Sequence, residues 1–191
     1  MTKGRLEAFT DGVVAIIITI MVLELKVPQG SDLAALQSSV PLFLAYALSY
    51  VNVGIFWNNH HHMLHAANRV DGWVLWMNMF LLFWLSLIPF VIRWMDEAGI
   101  TPFTTAAYGL VLAFAAIGYS LLQTAIVAAG GRDSKLGAAI GQDIKGKLSL
   151  GLYFASVPLS FVSPWIAIAI FVLVALIWFV PDPRIERGVK G

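Results

Sequence analysis

Residues 5–28 read RLEAFTDGVVAIIITIMVLELKVP, and between Phe9 and Leu25 only Thr10, Asp11, Thr19 and Glu24 interrupt an apolar run. As an α-helix, residues 9–27 would rise roughly 28 Å, about the thickness of a bilayer's hydrocarbon core. A secretory signal would need a small-residue cleavage site after the run, and Leu25-Lys26-Val27-Pro28 does not supply one. The stretch is therefore expected to be kept as a first membrane helix.

The chemistry of this helix differs around its axis. At about 100° per residue, Ile16, Thr19, Ile20 and Leu23 fall on one stripe, which Phe9 and Val27 extend. Asp11 lies roughly opposite, beside Ile18. Branched apolar residues are ordinary membrane-helix content, so the stripe alone is as compatible with lipid or a helix neighbour as with a functional surface. Asp11 is harder to dismiss, because a carboxylate inside a membrane span costs several kcal/mol without a partner or water.

The rest of the chain agrees with a membrane setting. Hydrophobic residues make up 59% and charged ones 12%, against about 45–50% and about 25% in soluble domains. A net charge of +1 gives no reason to expect nucleic acid, and with no cysteine there is neither a disulfide framework nor a thiolate metal site. Residues 1–191 suit a single domain.

Working outward, six apolar segments are expected as helices at about 5–27, 39–64 (opened by Pro41), 72–95, 104–129, 148–162 and 165–180. The fold class is all-α, a polytopic membrane protein. Pro89 and Pro158 should kink their helices by removing a backbone bond. If the N-terminus is cytoplasmic, every Lys and Arg except Lys26 and Arg93 falls on the cytoplasmic side. That is a positive-inside bias, and six crossings return the C-terminus to the same side.

The second segment carries the histidines. His60, His61 and His62 are consecutive, so their side chains diverge by about 100° each and cannot converge on one metal. His61 and His65 have a spacing that could chelate zinc, but no third ligand is evident. Ser49, Asn52, Asn59 and His60 share a face, a polar seam best read as hydrogen bonding between helices. Gly109 with Ala113, and Ala8 with Gly12, would let neighbouring backbones approach, though such pairs are common by chance in Ala-rich segments. No Walker loop, Gly-x-Ser-x-Gly, His-Glu-x-x-His or Thr-Val-Gly-Tyr-Gly motif is present.

Arg5, Phe9, Thr10, Asp11 and Gly12, followed by Glu24, Lys26 and Pro28, stand where the prokaryotic relatives of the endosomal/lysosomal potassium channel carry their signature. Phe56-Trp57-Asn58-Asn59-His60-His61 and Trp76-x-Asn78 running on to Pro89-Phe90 match in turn. The chain thus resembles the six-helix form of the transmembrane protein 175 family from Arg5 to about Phe90. Thr10 replaces the usual serine and keeps the hydroxyl. The resemblance implies a homotetramer whose first helices line a potassium-preferring pore, with Ile16 as the narrowest apolar ring and Ile20 and Leu23 further toward the outside. Thr19, the hydroxyl on that stripe, is the expected polar contact for a partly dehydrated ion. It also implies an intrasubunit polar network of Arg5, Thr10, Asp11, His60 and His61, which Asn78 can join near the cytoplasmic end.

Three function classes stay open on the residues alone. A channel needs a closed oligomer, because one chain has a single such helix and cannot enclose a pore. A proton-coupled secondary transporter would use Asp11 and the His60/His61 region as a relay, but no inverted repeat or paired broken helices is obvious. A membrane metalloenzyme lacks its third ligand. With the resemblance, the expectation is a non-enzymatic potassium channel in a prokaryotic cell membrane, with K+ as permeant ion, lipid as surroundings and no cofactor.

Overall fold

The computed structural model describes residues 2–28, 30–67, 69–130 and 143–179. Arg132, Lys135, Arg184, Arg187 and Lys190, on which the expected orientation partly rests, lie outside the described residues, as does Val180. The helices are α1 (Lys3–Leu23), α2 (Leu33–His65), α3 (Gly72–Ser86), α4 (Ile88–Ala98), α5 (Pro102–Gly130), α6 (Ile144–Ser160) and α7 (Pro164–Phe179). Lys3–Leu23, Ser39–His65, Gly72–Ala98 and Pro102–Gly130 are each long and apolar enough to cross a membrane, and α7 is a shorter apolar helix.

Among the boundaries that differ from the expected ones, two have clear backbone reasons. The second helix starts at Leu33 and not at Ser39, because the Asp32 side chain caps it by accepting from the Ala35 amide at 2.9 Å. Pro41 then sits inside the helix. The third segment is broken where only a kink was expected. Pro89 has no amide to offer the carbonyl of Leu85, and its ring crowds that carbonyl. The chain tightens there, with the Leu87 amide bonding back to Trp84 O at 3.2 Å, and restarts as α4. Gly99, at φ 81°, ends α4 in a conformation that glycine adopts without strain. Pro158 falls in the last turn of α6, which stops at Ser160.

The bundle is built on α5, which packs on α3 along one side and on α6 along another. Gly118 marks the closest approach, since a Cβ there would lie 2.9 Å from the Leu81 Cα. Gly118→Ala should therefore cost about 1–3 kcal/mol, as overpacking against backbone does. Gly151→Ala meets nothing within 4 Å and should leave stability unchanged or slightly raised, because alanine favours the helix. Thermal unfolding of the two variants in detergent checks both expectations.

The first helix stands at the edge of this bundle, against α2, α3 and α4. Leu6, Thr10, Val14, Ile17 and Met21 form its buried face. That spacing is as periodic as the Ile16 stripe, and it is the face that folding uses.

Candidate functional site

The faces of α1 have different partners. Toward the core, the Asn78 side chain of α3 donates from Nδ2 to Thr10 Oγ1 at 3.0 Å, and its Oδ1 accepts from His60 Nε2 of α2 at 2.7 Å. Thr10, His60 and Asn78 are all buried. This chain of bonds links three helices at buried positions, where each group would be costly to leave alone.

On the flank facing α2, Glu7 and Asp11 stand one turn apart. Opposite them, in antiparallel order, stand His61 and Trp57. Glu7 Oε1 lies 2.8 Å from His61 Nδ1, and the Trp57 indole N–H donates to Asp11 Oδ1 at 2.8 Å. Lys3 extends the same seam by donating to the His65 carbonyl at 2.6 Å. At the other end of the helix, Glu24 pairs with Arg93 of α4 at 3.6 Å, and Lys26 pairs with Asp96. The first helix is thus tied at both ends, by buried amide and hydroxyl bonds with a flank of charge-assisted contacts at one and by partly exposed ion pairs at the other.

The remaining face has no partner within the chain. Ile16 is 60% exposed, Ile20 41% and Leu23 76%, and Phe9 lies on the same side. Thr19 is exposed too, and its hydroxyl donates to the Ala15 carbonyl at 2.7 Å, so its proton is committed to the backbone and its oxygen stays free to accept. The stripe read from the spacing is therefore one continuous uncovered surface.

Residues 5–89 match the family described as endosomal/lysosomal potassium channel TMEM175. A potassium channel of Chryseobacterium sp. (strain P1-3) is 50% identical over 190 residues, covering 100% of this chain and 99% of that protein. The chain belongs to the TMEM175 family. The crystal structure of a lysosomal potassium-selective channel TMEM175 homologue from Chamaesiphon minutus superposes with a TM-score of 0.78 at 28% identity, covering 93% of this chain and 96% of the other. The human endosomal/lysosomal proton channel TMEM175 is 40% identical over 87 residues, 38% of this chain and 17% of that protein.

The TMEM175 match ends at Pro89, the residue that breaks the third rod. It therefore takes in the contacts of α1 with α2 and α3 described above except that of Lys3, and it leaves out Arg93 and Asp96. Within the TMEM175 motif, the structure joins Thr10, Asn78 and His60 directly, but it does not bring Arg5 and Asp11 together. Arg5 is exposed and makes no side-chain bond among the described residues. The two are six positions apart, about 240° around the helix, so one cannot face the other. Asp11 binds an indole in place of Arg5 or a histidine, and His61 binds Glu7. The expected seam on α2 divides similarly: Ser49 and Asn52 turn to the Tyr108 hydroxyl, at 2.8 and 3.4 Å, and only His60 reaches α3.

The sequence pattern assigns no role to Glu7, and gives Trp57 only a place in the Phe56–His61 motif. The available signal was the matched spacing, Glu7 to Asp11 and Trp57 to His61, each one helical turn. His61 and His65 stack with centroids 6.3 Å apart. Among the described residues no group of His, Asp and Glu is arranged to hold a metal ion.

Proposed function

We propose that this chain assembles as a homotetrameric channel that conducts K+ in preference to Na+, with four copies of α1 around a central pore. The observation that carries this reading is the uncovered stripe on α1. The Leu6, Thr10, Val14, Ile17 and Met21 face of that helix is committed to the core and the Glu7 and Asp11 flank to α2, while Ile16, Ile20 and Leu23 project from the chain unpaired. Relatives named potassium channels, one of them matched over the whole chain, support the ion.

In the assembled pore, Ile16 forms the narrowest ring, with Ile20 and Leu23 beyond it. Such a ring offers nothing to replace a hydration shell and opposes ions by dewetting. Thr19, one turn away, presents an oxygen with an uncommitted lone pair to a partly dehydrated cation. Thr10, Asp11, His60, His61 and Asn78 act as supports that hold the helix at its Lys3 end and do not line the path. Residues 1–191 serve as a single channel domain, with both termini cytoplasmic.

Native mass measurement in nanodiscs should give four chains per particle. Liposomes holding the protein should pass K+ down its gradient without a proton gradient. A conducting monomer, or flux strictly coupled to protons, overturns the reading. The second outcome would favour the transporter alternative built on Asp11 and the His60/His61 region.

A further inference from the structure

A partly enclosed cavity of about 40 Å³ lies away from α1, between α2, α5, α6 and α7. We infer that it is a binding site for a small uncharged hydroxyl-bearing molecule, either water or a short alcohol.

Size sets the first limit. At about 10–15 Å³ per water, this volume holds roughly three waters, or an alcohol of similar bulk. Polarity sets the second. Tyr153 of α6 is 3% exposed and lines the cavity, yet its hydroxyl makes no hydrogen bond among the described residues. The hydroxyl opens onto accessible space with no protein acceptor among the described residues, so an occupant that accepts its proton is favoured. Ser149 accepts from the Trp178 indole at 2.8 Å and keeps its own proton to donate. On α2, Asn59 uses its NH2 on the Ile55 carbonyl at 2.8 Å, and Asn52 uses its NH2 on Tyr108. Both amide oxygens remain to accept.

The site thus offers O–H donors on one wall and amide acceptors on the other, and a hydroxyl can satisfy both at once. No charged side chain lines the cavity among the described residues, so an ion would lose its hydration without repayment. Phe56, Tyr119 and Trp178 supply apolar wall for an alkyl end. Asn59 belongs to this site, while its neighbour His60 belongs to the bonds that reach α1, so the cavity is separate from the proposed pore.

The test uses purified full-length protein in detergent with isotope-labelled tyrosine rings, the Tyr153 signals being assigned by their loss in Tyr153→Phe. In alcohol-free buffer the Tyr153 ring should show a nuclear Overhauser effect to water. On titration with 2-propanol, an effect to the propanol methyls replaces it if alcohol enters, and the water effect persists if the site holds water alone. Either result supports a hydroxyl-bearing occupant and tells which one it is. Ala116→Leu, or Ser120→Leu one turn along should that variant fail to fold, fills the cavity and should abolish both effects. An effect to detergent chains only, an effect to neither hydroxyl source, or one that survives a folded filling variant overturns the inference. None of these readouts depends on ion flux, so failure here is distinct from failure of the channel reading.

Discussion

Ile16→Asn should raise resting cation flux by roughly tenfold and erase most of the discrimination between K+ and Na+. Asparagine is close to isoleucine in size but wettable, so the change removes dewetting without widening the ring greatly; a barrier lowered by ~1.4 kcal/mol already gives that factor. Ile16→Ala should act in the same direction by widening the ring. The side chain is 60% exposed in the single chain, so neither change should harm folding. Ile17→Asn is the contrast. That neighbour is 3% exposed and packed in the core, so an amide there should abolish folded protein without a selectivity phenotype. Thr19→Val should keep a conducting pore and change its ion preference, because it removes the oxygen left free to accept. Liposome flux of both ions, normalised to assembled protein, measures each variant. If Ile16→Asn conducts and discriminates as the parent does, the pore has been placed on the wrong face and must be rebuilt around Asp11 and Ile18.

How much of this was legible in the chain depended on the kind of fact. Apolar length and the Pro and Gly positions are local properties, and they carried the all-helical membrane architecture. The break before Pro89 was foreseen only as a kink, because its severity depends on whether α4 finds packing of its own. It does, through Ile88, Val91, Ile92 and Met95. On α1, helical periodicity could group Ile16 with Thr19, Ile20 and Leu23, but it could equally group Leu6 with Thr10, Val14, Ile17 and Met21. Which stripe is buried is decided by α2, α3 and α4, and a wheel drawn on one helix does not contain them. The same holds for Asp11. Its cost in a membrane was readable, but its partner was not, because the matched one-turn spacing of Trp57 and His61 on another helix does not say which residues come to face each other. Arg5 attracted the assignment by charge, and charge has no angular information. Thr10 and Asn78 could be placed at one level of the membrane from segment lengths, and the bond between them needed only that.

Asn78→Leu should be the most damaging single change in the support of α1. Asn78 is 0% exposed, and its two amide functions serve different helices, accepting from His60 at 2.7 Å and donating to Thr10 at 3.0 Å. Leucine fills a similar volume and serves neither. The His60 ring N–H and the Thr10 hydroxyl would then stay buried with no partner, at about 1–3 kcal/mol each. The sum is a large part of the ~5–15 kcal/mol that holds a typical domain together. Thermal unfolding in detergent should shift down by several degrees or more, and the yield of assembled particles should fall. Asp11→Asn should do much less, since an amide oxygen can still accept from the exposed Trp57 pair. The pattern of multiple variants separates a lost bond from a lost shape. Adding His60→Phe and Thr10→Val to Asn78→Leu removes the orphaned groups and should recover part of the stability, a non-additivity expected only of residues in one network. Because Thr10 lies on the core face of α1 and Ile16 on the uncovered one, whatever Asn78→Leu protein does assemble should keep the parental ion preference. Unchanged stability would mean that the buried bonds do not hold the helix, and an altered preference in stable protein would place Thr10 in the ion path.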